Sequence, residues 1–381
     1  MQIARIQIHP LRVPRIYGTQ IAREGGGTRS QVDGSLYVFV EAETTTGLVG
    51  WGEISDIPEI EMIPWPDLTV QLETLLVGRN PFDLQSLHDD LRKSDPSVSD
   101  LELPRLLSAA VDMICYDLQS QQAQVPIYQL LGGAYRDEVL ISWVAYIRDD
   151  LKLLRTEIEA KRAARFTSYK LKVGGDIDLD DQRLGVLREI AGPTAHIKID
   201  PNGGWSWEEA VENIKRLSRH GVAGVETPLA SRDPVQLATL RQQVEVPLLE
   251  HVCTAQDALA YIEHGSLDCF NISTTGCGGM WPAKQIATLA ETAGVGLLLG
   301  STVEMGPGTL AQLHLAASLS GLTMPSDLIG PGLLADDILS QPLVYRAGHL
   351  RVPGEPGIGP AICRRKLTHL AQKETGRQCA K

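Results

Sequence analysis

From residue 138 onward the chain repeats one pattern: an apolar run of strand length, then a stretch with helical spacing. The runs fall at 139–147, 168–173, 196–200, 222–226, 247–250, 269–272 and 295–299, with a weaker one at 322–327. Helical patterns fill the gaps, as at 207–220 and 282–293. Eight such units in about 190 residues specify a parallel sheet that closes on itself, a (β/α) barrel. An open doubly wound sheet is the rival topology. It calls for a glycine fingerprint after the first strand, and the sequence has none there.

The first third reads differently. Strand-like alternation at 3–8, 35–42 and 47–53, ending on Gly50-Trp51-Gly52-Glu53, suggests a three-stranded antiparallel meander. Residues 15–34 are polar and Gly-rich and show no pattern, which marks them as a functional or disordered segment. From about 66 to 132 the apolar spacing turns helical, with Leu107, Ala110, Val111, Ile114 and Leu118 on one face, and Gly132-Gly133 as a stop. The expected organisation is an α+β domain over 1–133, a barrel over 134–335 and a Pro- and Gly-rich tail over 336–381. The tail has a strand-like piece at 349–352 and is expected to pack back on the first domain. A length of 381 residues suits two domains. The net charge of −12 argues against a nucleic-acid partner. No apolar run is long enough to cross a membrane, and the first residues lack a signal-peptide pattern. Six scattered cysteines (Cys115, Cys253, Cys269, Cys277, Cys363 and Cys379) form no CxxC pair and read as reduced thiols of a cytoplasmic protein.

Polar groups close successive barrel strands. Lys170 and Lys172 end the second, Asp200-Pro201-Asn202 the third, Glu226-Thr227-Pro228 the fourth and Glu250-His251 the fifth. C-terminal strand ends face the mouth where barrel active sites lie. One acid at a strand end is commonly a cap or a turn residue. Three in succession, preceded by lysines, are expected to converge, and a divalent cation relieves their repulsion. All-oxygen ligands suit Mg²⁺ or Mn²⁺. Lys170 and Lys172 are two apart on a strand and share a face. Ammonium groups roughly 7 Å apart repel by about 2 kcal/mol at an effective dielectric near 20, enough to lower a lysine toward a working base.

At this point the chain resembles the enolase superfamily, in particular its muconate-lactonizing-enzyme subgroup. Gly-Trp-Gly-Glu at 50–53, the helix with Asp117 and Leu-Leu-Gly-Gly at 130–133 are similar to that family's capping domain and its join to the barrel. Lys170-Leu171-Lys172 is similar to its Lys-x-Lys motif, 300–306 to its seventh-strand motif and 327–331 to its eighth. The resemblance implies a modified TIM barrel under an N-terminal α+β capping domain. It also implies Mg²⁺-dependent removal of a proton α to a carboxylate through an enediolate, on a small carboxylate substrate, by a homo-oligomer. Lys172 is the implied base and Lys170 its neighbour. Asp200 and Glu226 are the implied first and second metal ligands. For the third, Glu250 is chosen over His251 because a hard cation prefers carboxylate oxygen. Glu304 and Asp327 are candidates for orienting substrate or donating a proton, and Asn202 follows the first ligand. The 15–34 loop is expected to close over the site, its Arg15, Arg23 and Arg29 meeting an anionic group.

One departure bears on the reaction. Where the subgroup carries a lysine on strand six, this chain has Ser273. A serine hydroxyl is no free base without an activating partner. One-base β-elimination (a dehydratase) or cycloisomerisation is therefore expected. Racemisation or epimerisation is the alternative, with Cys277 or His251 as the other acid/base. A catalytically inactive metal- or acid-binding barrel is the reading from another class.

Overall fold

The computed structural model describes residues 1–56, 64–93 and 103–378. The chain opens with an antiparallel sheet of β1 (Ile3–Thr19), β2 (Val32–Thr44) and β3 (Val49–Ile54), in that order. The meander forms as the alternation predicts, but the first two strands run further into the loop that joins them than expected. The pairing of β1 with β2 shifts register between Pro14 and Thr19. That irregularity breaks the period-two pattern and hides the strand ends. The connecting segment is therefore 20–31. Helices α1 (Trp65–Leu76), α2 (Leu84–Lys93), α3 (Leu103–Ala123) and α4 (Ile127–Leu130) complete this capping domain.

In the second domain the single run expected at 139–147 divides. Residues Glu138–Leu140 (β4) leave the barrel to pair with β12 (His349–Arg351), and Ser142–Ala145 (β5) starts the barrel. The strands β6 (Ser168–Lys172), β7 (His196–Asp200), β8 (Gly224–Glu226), β9 (Leu248–His251), β10 (Cys269–Ile272) and β11 (Gly296–Leu299) follow in sequence order, all parallel. The eighth run is not a regular strand. It closes the barrel through isolated parallel bridges, Leu297 to Leu322 and Ile141 to Ser326. Ser142 N donates to the Ser326 carbonyl at 2.7 Å and Asp327 N to that of Leu299 at 2.7 Å.

Helices alternate with these strands: α5 (Leu151–Ala163), α6 (Ile177–Ala191), α7 (Trp207–Leu217), α8 (Pro234–Gln243), α9 (Ala255–His264), the short α10 (Thr274–Cys277), α11 (Met280–Ala293), α12 (Gly306–Ala317) and the short α13 (Gly330–Leu333). Their starts are written locally. Asp150, Asp176, Ser206, Asp233 and Thr254 each stand at the N-cap and accept a backbone N–H of the first turn. One end of the barrel interior is filled by Leu249, Cys269 and Leu298, with Met324 against them. That apolar plug leaves the other end to polar side chains.

The tail is more organised than its composition suggests. Helix α14 (Arg364–Gln378) packs on β1. Arg364 Nη2 donates to Glu41 Oε1 at 2.6 Å and the guanidinium lies over the Trp51 ring. Cys115, Cys253, Cys269, Cys277 and Cys363 are free thiols, and Cys379 lies outside the described residues. No helix among the described residues is long and apolar enough to cross a membrane.

Candidate active site

Strand register delivers the charged residues. In parallel pairing, partners share a face, and β6 against β7 sets Lys170 beside Lys198 and Lys172 beside Asp200. All four point into the barrel. Lys170 Nζ donates to Glu226 Oε1 at 2.7 Å and Asp327 Oδ2 at 3.0 Å, and lies 3.2 Å from Asp200 Oδ2. Lys172 Nζ donates to Asp200 Oδ2 at 2.6 Å. Lys198 Nζ donates to Asp327 Oδ1 and the Pro325 carbonyl, each at 2.8 Å. Three ammonium groups thus interleave with three carboxylates, all buried. Burial would discharge Lys170, but Asp327, Glu226 and Asp200 hold its ammonium well above the ordinary lysine range. Burial likewise would raise Glu226, and Lys170, His251 and Lys172 hold it well below the usual carboxylate range.

Two expectations need correction here. Along the sequence Lys170 and Lys172 stand as bare like charges. In the fold both reach Asp200 Oδ2, and Lys170 is surrounded by carboxylates, so its charge is compensated where it stands. The second concerns β9. Glu226 pairs with Leu249, and His251 with Asn271, so Leu249 and His251 lie on the inner face. His251 Nε2 is 3.1 Å from Glu226 Oε1. Glu250, between them, turns to the outer layer. Its Oε1 accepts the Thr227 hydroxyl at 2.9 Å and the His251 N–H at 2.7 Å, with Arg232 Nε 3.7 Å away. Burial raises the Glu250 carboxyl above the usual range. Asp200 and Glu226 converge with the lysines; Glu250 does not.

The remaining candidates sort by depth. Asp327 lies beneath the lysines. Glu304 accepts hydrogen bonds from Ser301, Thr302 and Thr275 hydroxyls and from the Thr302 N–H, and so stands behind a wall of hydroxyls. Ser273 Oγ caps α10 by accepting the Gly276 N–H at 2.9 Å and lies 3.2 Å from Thr275 Oγ1. Cys277 is buried and donates to the Val252 carbonyl at 3.3 Å, and burial pushes its thiol up, so it is not placed as an acid/base. Asn202 donates its backbone N–H to Asp200 Oδ1 at 2.9 Å. Sequence reasoning missed Lys198 and Asn271, whose Nδ2 donates to Glu226 Oε1 at 3.0 Å. Lys198 carried a legible signal: it stands two residues before Asp200, the same spacing as Lys170 and Lys172.

A cavity of about 620 Å³ opens above this layer, bounded by Lys172, Asn202, His251 and Ser273 from the barrel and by Thr19 and Arg29 from the cap. The 20–31 segment reaches over the mouth, where Gly25 N donates to the Gly203 carbonyl at 3.1 Å. Arg15 also lines this cavity, with its guanidinium already engaged by Asp56 at 2.6 Å and Ser35 at 3.0 Å. Arg23 and Arg29 are exposed. Val303 holds a left-handed backbone at φ 67° that disfavours a β-branched residue, and its carbonyl accepts the Tyr37 hydroxyl from the cap at 2.6 Å.

Among the described residues, no three His, Cys, Asp or Glu side chains stand together as a formed metal shell. The Lys170 ammonium takes the place where Asp200 and Glu226 converge. Yet Glu226 Oε2 is buried with no hydrogen-bond partner. A desolvated, unspent carboxylate oxygen beside a second carboxylate fits a divalent cation.

Residues 20–132 match the family described as mandelate racemase/muconate lactonizing enzyme, N-terminal domain, and residues 153–366 that described as enolase C-terminal domain-like. The chain is 33% identical over 306 residues to hydrophobic dipeptide epimerase of Enterococcus faecalis, covering 78% of this chain and 82% of that protein. It is 28% identical to muconate cycloisomerase 1 of Rhodococcus opacus, covering 75% and 76%. The crystal structure of dipeptide epimerase from E. faecalis complexed with Mg and L-Leu-L-Tyr superposes with a TM-score of 0.83 at 28% identity, over 94% of this chain and 99% of that one.

Proposed function

Because this chain belongs to the mandelate racemase/muconate lactonizing enzyme family, we propose that Lys172 carries the proton α to the carboxylate of a small acid: it removes that proton ahead of a β-elimination, or delivers it to the α-carbon after ring closure in a cycloisomerisation. The observation that carries this reading is the position of Lys172. Among the described residues it is the lysine that borders the cavity, while Lys170 and Lys198 lie in ion pairs beneath it. Asp200 and Glu226 are the carboxylates assigned to a divalent cation, Mg²⁺ or Mn²⁺. When bound, that ion supplies positive charge that stabilises the charge developing on the substrate carboxylate.

This chain's own groups do the rest. Lys172 Nζ, at the cavity floor, is the atom that exchanges the α-proton with the substrate. Its partner Asp200 sets its position through the 2.6 Å contact. The hydroxyls of Ser301, Thr302 and Thr275 spend their protons on Glu304 and so offer lone pairs to donor groups of the substrate. The capping segment 20–31 limits water at the mouth. Ser273 opposes Lys172 with a hydroxyl already engaged as a helix cap, which favours a one-base course.

Epimerisation is the second reading. It is favoured by the 33% identity to a dipeptide epimerase and requires an acid/base on the Ser273 side. NMR in D₂O on single enantiomers of small carboxylic acids and dipeptides decides between them. The one-base course expects α-hydrogen exchange in one enantiomer only; exchange in both, with interconversion, establishes the epimerase. Lys172→Ala is expected to slow exchange by at least about 10²–10⁴-fold, the usual contribution of a positioned base. Near-native exchange in that variant would reject Lys172 as the base. The homo-oligomer that the resemblance implies is tested by sedimentation equilibrium.

A further inference from the structure

The residues at the end of β9 bear on which cation the site takes. His251 projects from the inner face toward Glu226, whereas Glu250 is turned into the outer layer against Thr227 and Arg232. Changing places would shift the strand by one residue. That would carry Leu249 out of the interior plug it forms with Cys269 and Leu298 and move its neighbours with it. The phase of β9 is therefore held by packing at the closed end of the barrel. The imidazole is one-third exposed at the cavity edge, with Nε2 3.1 Å from Glu226 Oε1. The other oxygen of that carboxylate, Oε2, is buried and unpartnered.

We infer that the third protein ligand is the His251 imidazole, so that two carboxylates and one nitrogen select Mn²⁺ over Mg²⁺. This rests on the proposed cation site at Asp200 and Glu226. Mg²⁺ is small and hard and favours oxygen and water in a near-ideal octahedron. An imidazole nitrogen is a better donor to first-row transition ions, and Mn²⁺ also accepts carboxylate readily. Glu250 is then a positioning residue: it receives the His251 backbone N–H and the Thr227 hydroxyl, fixing the strand end from which the imidazole projects.

The test is equilibrium binding of Mn²⁺ to the full chain, read by the electron paramagnetic resonance of free Mn²⁺, with Mg²⁺ as competitor. Electron spin-echo modulation then shows whether nitrogen is bonded to the bound ion. The wild-type protein is expected to bind Mn²⁺ at least about tenfold more tightly than Mg²⁺ and to show nitrogen modulation. His251→Asp should abolish the modulation and move the preference toward Mg²⁺ by about 10–100-fold, at least the scale of outer-shell changes. Glu250→Gln should keep both Mn²⁺ binding and the modulation. Bound Mn²⁺ without nitrogen modulation in the wild-type protein overturns the inference, as does modulation that persists in His251→Asp. These two readings decide it even if Glu250→Gln fails to fold. Asp200→Asn separates the premises. If the wild-type protein binds neither ion, or if Asp200→Asn binds Mn²⁺ normally, the cation site itself is wrong. If Asp200→Asn abolishes binding but the wild-type ion carries no nitrogen, only the His251 assignment falls.

Discussion

Lys198 is the residue whose removal best tests the buried charge lattice. It is fully buried, and its ammonium serves Asp327 Oδ1 and the Pro325 carbonyl. Lys198→Met keeps much of the volume and deletes the charge. It leaves one carboxylate oxygen and one carbonyl without that donor in a low-dielectric interior. Breaking a buried ion pair from one side costs about 3–5 kcal/mol. Urea denaturation should show a loss of that order. A change under about 1 kcal/mol would mean that water or Lys170 serves Asp327 instead. The residue was readable in advance by parity, because positions two apart on a strand share a face. Its partner was not, since Asp327 comes from a segment more than a hundred residues away.

At the scale of elements, two contacts hold the capping domain in order. Helix α3 lies so close to β3 that a Cβ on Gly52 would stand 2.3 Å from the Ala110 carbonyl oxygen. Gly52→Ala must push helix and strand apart, and overpacking of this kind costs about 1–3 kcal/mol. A lowered thermal midpoint is the expected readout, and an unchanged one would show that the interface yields freely. The second contact is α14 on the sheet through Arg364 and Glu41. Burial alone would raise the Glu41 carboxyl, but hydrogen bonds from His9 and Arg364 outweigh it and hold the group at about 2. A carboxyl depressed on folding stabilises the protein above its ordinary value of 4.5, and that stability is lost as pH falls through about 2. The wild-type protein should therefore lose stability between those values more steeply than Arg364→Ala, which is already weakened at neutral pH. Parallel denaturation curves for the two proteins across that window would contradict the linkage.

For the whole molecule, the site belongs to both domains. The barrel supplies the charged floor, and the cap supplies the 20–31 segment and the Tyr37 hydroxyl that holds the Val303 carbonyl. The tip of that segment is braced within itself, with Arg23 N donating to the Gly27 carbonyl at 2.9 Å and Gly26 N to that of Arg23 at 2.9 Å. Among the described residues it meets the barrel through the single backbone bond from Gly25 N to the Gly203 carbonyl. Deleting residues 24–27 should thus leave the thermal midpoint nearly unchanged. It should lower kcat/KM by about 100-fold, because the mouth would no longer exclude water or hold substrate in register. Equal kcat/KM in the shortened protein would remove the segment from the mechanism.

The barrel and much of its floor were legible because both rest on local rules. A strand has period two and a helix a longer one, so alternating runs announce a β/α barrel before any contact is known. The same parity placed Lys170 with Lys172, and strand ends placed Asp200 and Glu226 at one mouth. Tertiary structure decided what parity leaves open. The register of β9 against β8 and β10, with Leu249 in the interior plug, turned His251 inward and Glu250 outward. Asp327, arriving from the irregular eighth segment, compensated charges that looked bare along the sequence. The bulge after Pro14 and the docking of α14 were likewise hidden, because each depends on a partner strand rather than on its own neighbours. Face and period are properties of a short stretch of chain; register and electrostatic partnership exist only between stretches that folding brings together.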